Sequence, residues 1–173
     1  MDLLGIICAD FDVVSPIGEE IIPQGTAPRD AVLMLSRQKA EEVRASHNNQ
    51  LIIAADTVVT IDGEILGKPG NADNAAEMLR KLSGRVHSVF TGVCVIFEDG
   101  EIKSFAEETE VEFYPLTDRE ITRYIDTGEP MDKAGAYGIQ DRGALFVKRI
   151  VGDYYNVMGL PVARLARVLN RMV

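Results

Sequence analysis

The amino-acid sequence predicts an α/β protein, and three stretches carry that prediction. The apolar run from Leu51 to Ala55 is typical of a buried strand, and the residues from Pro28 to His47 have the apolar spacing of an amphipathic helix. The segments Val86 to Phe97 and Glu101 to Tyr114 read as a long β-hairpin that turns at Asp99-Gly100. A fold in which helices cover a sheet accounts for all three stretches.

The stretch from Leu51 to Pro69 contains the first candidates for chemistry. Asp56 follows the apolar run directly, and a carboxylate at the carboxyl end of a buried strand in an α/β protein points into the crevice where ligands bind. A turn at Asp62-Gly63 closes a hairpin that carries Lys68 back toward the same crevice. The alternative is that Asp56 only caps a turn and that Lys68 only lies on the surface, which holds for most isolated residues of these types.

The helix before this stretch contains a lysine that needs an explanation. Thr26 is predicted to cap the helix, which begins at Pro28. On a helical wheel Lys39 falls near the middle of the apolar stripe, which is formed by Val32, Leu35 and Val43. Either the Lys39 stem lies along the core while its ammonium reaches water, or the ammonium faces an anion in the crevice. The helix pattern alone does not favour one of these over the other.

Caps and turns predict the remaining elements. Short strands are expected at residues 11–14 and 144–147, and helices at 72–82, at 117–127 and from Pro161 onward. Ala106, Glu108, Glu110 and Glu112 alternate along the returning strand of the hairpin, and we interpret their shared face as solvated. The glycine-rich segment from Gly128 to Gln140 lets the backbone approach a strand or a ligand closely. Gln140 offers both a donor and an acceptor, which suits the edge of a nucleobase.

Composition sets the limits on partners and location. A chain of 173 residues suits a single domain. A net charge of −9 argues against nucleic acid or an anionic membrane surface as a partner, because the far field would repel both. Cys8 and Cys94 both lie among apolar neighbours, so we interpret them as reduced core residues of a cytosolic protein. Met1 to Asp10 shows neither a basic segment nor a cleavage site, so a soluble, cytoplasmic protein is expected.

Six segments together resemble one known family, the Maf nucleoside triphosphate pyrophosphatases. Their order and spacing run along almost the whole chain, and the longest of them is the most specific. They are Ala55-Asp56-Thr57, Gly67-Lys68-Pro69, Leu79 to Gly84, Gly128-Glu129-Pro130, Asp132 to Gln140 and Gly159-Leu160-Pro161. The resemblance implies one Maf-like domain over residues 1–173. It also implies an α/β fold with a mixed, twisted sheet flanked by helices, two lobes around a deep cleft, and a possible homodimer.

The resemblance also implies an activity and roles for particular residues. The family hydrolyses a nucleoside triphosphate between its α and β phosphates with a divalent cation such as Mg²⁺ or Mn²⁺. Asp56 matches the catalytic acid/base, Lys39 and Lys68 match lysines that bind the triphosphate, and Glu20 matches a carboxylate that, with Asp56, holds the metal. Thr57 and Gln140 match positions associated with base preference. The combination of Ala-Asp-Thr with Tyr-Gly-Ile-Gln resembles the branch that takes dTTP and UTP.

The chain departs from the family pattern at its beginning. The family opens with a strand and the motif Ser-x-Ser-Pro-Arg-Arg, whose hydroxyls, backbone N–H groups and arginines bind phosphate. That motif is absent here, and Met1 to Ile7 reads as the last turn of a helix without a beginning. Either Met1 is an internal methionine taken as the start, which we favour, or the chain lacks a strand and a phosphate loop. Losing that loop would leave very little activity, because removing even one preorganised donor costs about 10² to 10³ in rate.

Two other functions compete with that of the pyrophosphatase for dTTP and UTP. The first is a nucleotide-binding or regulatory module that keeps the cleft without turnover, as the family's association with inhibition of septum formation suggests. The second is an inosine triphosphate pyrophosphatase of similar architecture, which the segment from Tyr137 to Gln140 disfavours. The chemistry of the residues agrees with the pyrophosphatase for dTTP and UTP, because hydrolysing a phosphoanhydride requires cations, carboxylates for a metal and a base for water.

Overall fold

The structure is a computed structural model that describes residues 3–15, 18 and 20–170. It confirms the α/β class. The strands are β1 (Ile52–Ile61), β2 (Glu64–Leu66), β3 (Val86–Ile96), β4 (Ile102–Phe113) and β5 (Val147–Val151). The helices are α1 (Pro28–Ser46), α2 (Ala72–Leu82), α3 (Asp118–Ile125), α4 (Tyr154–Val157) and α5 (Val162–Val168), with short 3₁₀ turns between them. The described strands form one sheet of order β2-β1-β3-β4-β5, in which every neighbouring pair is antiparallel.

Helices cover both faces of this sheet, as the alternation of side chains along a strand requires. Helix α1 packs on one face, where Val32 meets Val58 of β1 and Ala106 of β4. Helices α2 and α3 pack on the other face around Val59, Val89 and Phe113, and Leu165 of α5 joins that side against Val93 and Val95. Even-numbered residues of β1 therefore face α1, and odd-numbered residues face the opposite layer.

Several local predictions are confirmed. The hairpin of β1 and β2 turns at Asp62-Gly63, where both residues have positive φ as a tight two-residue turn demands. Asn71 caps α2 by accepting the Asn74 N–H, and Thr117 and Glu120 form the expected capping box of α3. Cys8 and Cys94 are both buried, and neither belongs to a disulfide.

Other local predictions are wrong. Residues 11–14 pair with no strand, and the predicted strand at 144–147 is largely a 3₁₀ turn that precedes β5. Ala27 rather than Thr26 is the first cap of α1, because the Thr26 hydroxyl donates to the Pro23 carbonyl at 2.7 Å. Ala106 is buried under α1, whereas Glu108 and Glu110 on the same face are exposed. Of the helical turn predicted over residues 1–7, Met1 and Asp2 lie outside the described residues, and Leu4–Ile6 form a 3₁₀ turn.

No helix in the described part of the chain combines the length and the apolar character needed to cross a membrane.

Candidate functional site

The candidate site is a cavity of about 740 Å³ at an open edge of the sheet. Strand β1 pairs with β2 only from Val59 to Ile61, so on that side Ile52 to Val58 have no strand partner among the described residues. The cavity wraps around this edge and reaches both faces of the sheet. All six residues singled out from the sequence line it, namely Glu20, Lys39, Asp56, Thr57, Lys68 and Gln140.

Asp56 lies in the middle of β1, which corrects the reasoning that first selected it. The strand does not end at Asp56 but continues to Ile61, and its neighbours are antiparallel. Asp56 nevertheless reaches the cleft because it lies where one edge of β1 is covered by no strand of the described structure. The placement is therefore as expected, although the cause is an unpaired edge rather than the carboxyl end of a parallel strand.

Lys39 links the two carboxylates of the site. Its Nζ donates to Asp56 Oδ1 at 2.6 Å and contacts Glu20 Oε1 at 2.8 Å. The side chain of Asp56 is 7% exposed, that of Lys39 is 19% exposed and that of Glu20 is 49% exposed. Of the two interpretations left open by the helix pattern, the ammonium therefore faces anions in the cleft rather than bulk water.

A glycine allows α1 to lie close enough for this contact. Gly92 of β3 is the register partner of Asp56, and a Cβ atom built there would lie 2.3 Å from the Val32 carbonyl oxygen of α1. Any side chain at position 92 would thus push the helix away from the sheet. Lys39 lies two turns further along the same helix, so the absence of a side chain at Gly92 sets its distance from Asp56.

The electrostatics of the pair reflect burial and mutual attraction. Burial raises the pKa of Asp56 above its usual range, although the hydrogen bond from Lys39 opposes that shift. Burial lowers the pKa of Lys39, but its hydrogen bonds to Asp56 and Glu20 outweigh burial and leave that pKa raised. The Lys39 side chain is therefore protonated and positively charged at neutral pH. Asp56 is a carboxylate of increased proton affinity, which suits a base that takes a proton from water.

Lys68 and the glycine-rich segment form the opposite wall. The Gly135 N–H donates to the Gly67 carbonyl at 3.0 Å, which ties the segment to the backbone next to Lys68. Gly135 has φ of +67° and lies against the Val59 side chain, so a Cβ atom there would be strained and crowded. Lys68 and Gln140 are both exposed at the mouth of the cavity.

One carboxylate organises the rest of this wall. Glu129 Oε1 accepts from the Tyr124 hydroxyl at 2.8 Å and from the Gly143 N–H at 3.2 Å, and Oε2 accepts from the Arg142 N–H at 3.2 Å. The Tyr124 hydroxyl oxygen in turn accepts from the Gly138 N–H at 3.1 Å. Glu129 therefore holds the two ends of the glycine-rich segment together, a role that the sequence did not indicate.

Thr57 lies on the other face of β1 from Asp56. Its hydroxyl contacts that of Thr91 on β3 at 2.8 Å, and Gly159 stands above it. The cleft therefore has two compartments separated by the edge of β1. One contains Asp56, Lys39 and Glu20, and the other contains Thr57.

The residues present fit a hard divalent cation. Glu20 and Asp56 supply carboxylate oxygens on either side of Lys39 Nζ. In the described part of the chain, no three His, Cys, Asp or Glu side chains gather into a metal cage. Mg²⁺ typically uses only one or two carboxylates and completes its coordination shell with water and substrate phosphates. The two carboxylates of Glu20 and Asp56 therefore suffice for it.

Sequence reasoning did not assign four residues that the structure brings into the site. Asp132 and Lys133 line the cavity, and Lys133 Nζ contacts Asp132 Oδ1 at 2.8 Å. Both belong to the segment that supported the family resemblance, so the signal was available. Gly92 was also detectable, as a lone glycine within an apolar strand. Thr91 was not, because its contact with Thr57 depends on the strand register.

A second cavity of about 780 Å³ runs along Leu51 to Ala55, at the end of β1 that β2 does not cover. It shares Glu20, Lys39 and Ala55 with the first cavity. The two cavities therefore adjoin at these three residues, one of which is the partner of Asp56 in the ion pair.

The sheet and cleft define an α/β protein that gathers three lysines and three carboxylates at an open strand edge. Comparison with known proteins is consistent with that description. The Maf-like protein family matches residues 1–172, and the chain belongs to the Maf family.

Curated relatives are similar over nearly the whole chain. A dTTP/UTP pyrophosphatase of Carboxydothermus hydrogenoformans is 53% identical over 171 residues, which cover 98% of this chain and 91% of the relative. A dTTP/UTP pyrophosphatase of Bacillus mycoides is 48% identical over 170 residues, covering 98% of this chain and 88% of the relative. Among solved structures, a nucleoside-triphosphatase / dITP/XTP pyrophosphatase of Mycobacterium abscessus aligns at 17% identity. That alignment covers 58% of this chain and 57% of its own, with a TM-score of 0.36, and adds nothing to the assignment.

Proposed function

We propose that this protein is a nucleoside triphosphate pyrophosphatase that hydrolyses dTTP and UTP to the monophosphate and pyrophosphate. The observation that carries the proposal is the buried Asp56 carboxylate, which Lys39 holds at 2.6 Å at the edge of a cavity with room for a nucleotide. The two relatives at 48% and 53% identity are both named dTTP/UTP pyrophosphatases, which supports the same substrates here.

In this mechanism Asp56 takes the proton of the attacking water. The water oxygen forms a bond to phosphorus, the bond between that phosphorus and the bridging oxygen breaks, and the freed phosphate oxygen carries the negative charge away. Lys39 and Lys68 bind the phosphates and offset that developing charge, which is the main requirement of phosphoanhydride hydrolysis. Glu20 and Asp56 would hold Mg²⁺ or Mn²⁺, which supplies additional positive charge to the phosphates when bound.

The charge balance of the cleft supports a role for such an ion. The cavity is lined by Lys39, Lys68 and Lys133 and by Glu20, Asp56 and Asp132, so the described charges of its wall cancel. A neutral wall attracts a triphosphate weakly, and a divalent ion makes the site positive. A neutral wall also offers little positive charge to the leaving phosphate, which would slow turnover, so a nucleotide-binding module with impaired turnover is the second candidate. The expected homodimer and cytoplasmic location stay predictions, as does the single domain over residues 1–173.

The test compares two substitutions that remove the same charge. Pyrophosphate release from dTTP and UTP is measured with Mg²⁺ or Mn²⁺ for the wild-type protein, Asp56→Asn and Asp62→Asn. Asp62 is exposed in the turn after β1, and asparagine is favoured at such a turn position, so this variant is the control. We expect Asp56→Asn to lower kcat by about 10² to 10⁴-fold, the usual contribution of a general base. Asp62→Asn should be unaffected.

Two further results complete the test. Chelation of divalent ions should abolish release in the wild-type protein and readdition should restore it. Equal rates for Asp56→Asn and wild type would contradict the enzymatic proposal. Nucleotide binding by calorimetry without release in any sample would favour the binding module instead.

A further inference from the structure

A chain of hydroxyl groups fixes the direction of the hydrogen bond made by Thr57. Thr57 Oγ1 lies 2.8 Å from Thr91 Oγ1, and Thr91 Oγ1 lies 2.8 Å from the backbone carbonyl oxygen of Asn156. Each hydroxyl has one hydrogen, and a carbonyl oxygen can only accept. Thr91 therefore donates to Asn156, and the proton between the two threonines is that of Thr57. The reverse arrangement would leave the Thr91 and Asn156 oxygens 2.8 Å apart with no proton between them.

The surroundings prevent this chain from reversing. Thr91 and Asn156 are fully buried, so water cannot take the place of either group. The Asn156 side-chain amide donates to the Val89 carbonyl and to the Thr109 hydroxyl, each at 3.0 Å, and the Asn156 backbone carbonyl also accepts from the Gly159 N–H at 3.0 Å. These bonds hold the carbonyl in place. The fold therefore fixes the direction of both hydrogen bonds, from Thr57 to Thr91 and from Thr91 to Asn156.

The hydroxyl of Thr57 is also open to the cleft. Thr57 lines the cavity. Gly159 lies next to the Thr57 hydroxyl and has no side chain to cover it; a Cβ atom at position 159 would lie 3.5 Å from Thr57 Oγ1. With its hydrogen committed to Thr91, the Thr57 oxygen presents only lone pairs to a bound molecule.

We propose that Thr91 and the Asn156 carbonyl are specificity-determining positioning residues, which hold Thr57 as a hydrogen-bond acceptor for the ring N3–H of uracil or thymine. This inference rests on the proposed function and deepens it. Uracil and thymine carry a hydrogen on N3, whereas N3 of cytosine is an acceptor that would face the Thr57 lone pairs. Cytidine nucleotides are thus disfavoured by two acceptors that face each other without a proton, which is costly in a desolvated site.

Thr91→Val and Thr91→Ser form a matched pair for the test. Valine has nearly the shape of threonine but no hydroxyl, so it frees the Thr57 hydrogen to rotate toward the cleft. Serine keeps the hydroxyl and the chain. The measured quantities are kcat and KM for UTP, CTP and N3-methyl-UTP, together with melting temperatures as a check on folding.

We expect the wild-type protein to discriminate against CTP and against N3-methyl-UTP. In Thr91→Val the ratio of kcat/KM for UTP over CTP should fall by about tenfold, the effect of one hydrogen bond, mostly through KM. Thr91→Ser should keep the wild-type ratio. A purely structural role for Thr91 would lower the rates for UTP and CTP equally, and that result would overturn the inference. The same equal loss would result if Thr57 accepted from a ribose hydroxyl.

A binding measurement separates this inference from the proposed function. Dissociation constants of α,β-methylene-UTP and α,β-methylene-CTP are measured by calorimetry for the same three proteins. If no turnover is found but Thr91→Val narrows the difference in affinity, the base-selecting chain stands and the hydrolytic proposal fails. If affinities for the two analogues are equal in the wild-type protein, or if neither binds, the inference is overturned.

Discussion

Replacing Gly92 with alanine tests whether the approach of α1 to the sheet sets the catalytic geometry. The added Cβ would lie 2.3 Å from the Val32 carbonyl oxygen, 2.4 Å from the Val32 carbonyl carbon and 2.9 Å from the Leu33 nitrogen. Ordinary contact begins at 3.4 Å. These obstacles are backbone atoms, so the helix must move away by about 1 Å.

Such a movement would break the contact between Lys39 and Asp56. A shift of about 1 Å would lengthen the 2.6 Å Nζ–Oδ1 distance beyond hydrogen-bonding range. Overpacking of this kind costs about 1 to 3 kcal/mol of stability, and a displacement of about 1 Å in a catalytic group can cost about 10²-fold in rate. We therefore expect Gly92→Ala to melt at a lower temperature and to lose about two orders of magnitude in pyrophosphate release.

The control is Gly70→Ala. Gly70 is exposed, and a Cβ atom there meets only the Asn74 side-chain oxygen at 3.4 Å, so its stability should change by less than about 0.5 kcal/mol. The assays are thermal unfolding and pyrophosphate release from UTP. Wild-type stability and activity in Gly92→Ala would refute the view that α1 is held against the sheet by the lack of a side chain at that position.

Two further substitutions examine residues that support the wall of the cleft from behind. Burial lowers the pKa of His87 from 6.5 to about 4, while its Nε2 contacts the Tyr137 hydroxyl at 2.8 Å. The unfolded chain therefore binds more protons than the native protein below pH 6.5. The contribution of His87 to the unfolding free energy is fully present above pH 6.5, and it should fall by about 3 kcal/mol as the pH drops toward 4. Chemical denaturation at several pH values in this range gives the unfolding free energy at each. That free energy should depend less steeply on pH in His87→Phe than in the wild-type protein, and equal pH dependence would contradict this explanation. Glu129→Gln replaces one of two carboxylate oxygens that together accept three donors by an NH₂ group, so at least one donor loses its partner. The unfolding free energy should drop by about 1 to 3 kcal/mol, whereas exposed Glu77→Gln should be neutral and equal losses would argue against a special role.

Local sequence signals predicted local structure well. Asn71, Thr117 and Asp62-Gly63 act through bonds to residues only a few positions away, so their effects can be predicted without knowing the fold. The apolar alternation also placed the long hairpin of β3 and β4 with boundaries close to those observed. The sequence could not show which edge of β1 stays unpaired, and that edge is the reason Asp56 reaches the cleft.

The features that escaped prediction depend on contacts between distant parts of the chain. Ala106 sits in an acidic row that looks solvated, yet α1 crosses the sheet directly above it. Thr91 meets Thr57 only because β1 and β3 pair in one particular register. Such contacts follow from the packing of helix on sheet and of strand on strand, and no periodicity within a single segment specifies them.

The most direct test of the central claim is the identity of the products formed from UTP. Phosphorus NMR of a wild-type reaction, run beside Asp56→Asn to subtract any contaminating activity, distinguishes hydrolysis at the two phosphoanhydride bonds. We expect UMP and pyrophosphate in equal amounts, formed at least about 10²-fold more slowly by Asp56→Asn. Formation of UDP and inorganic phosphate, or of UMP and pyrophosphate at the same rate in Asp56→Asn, would contradict it.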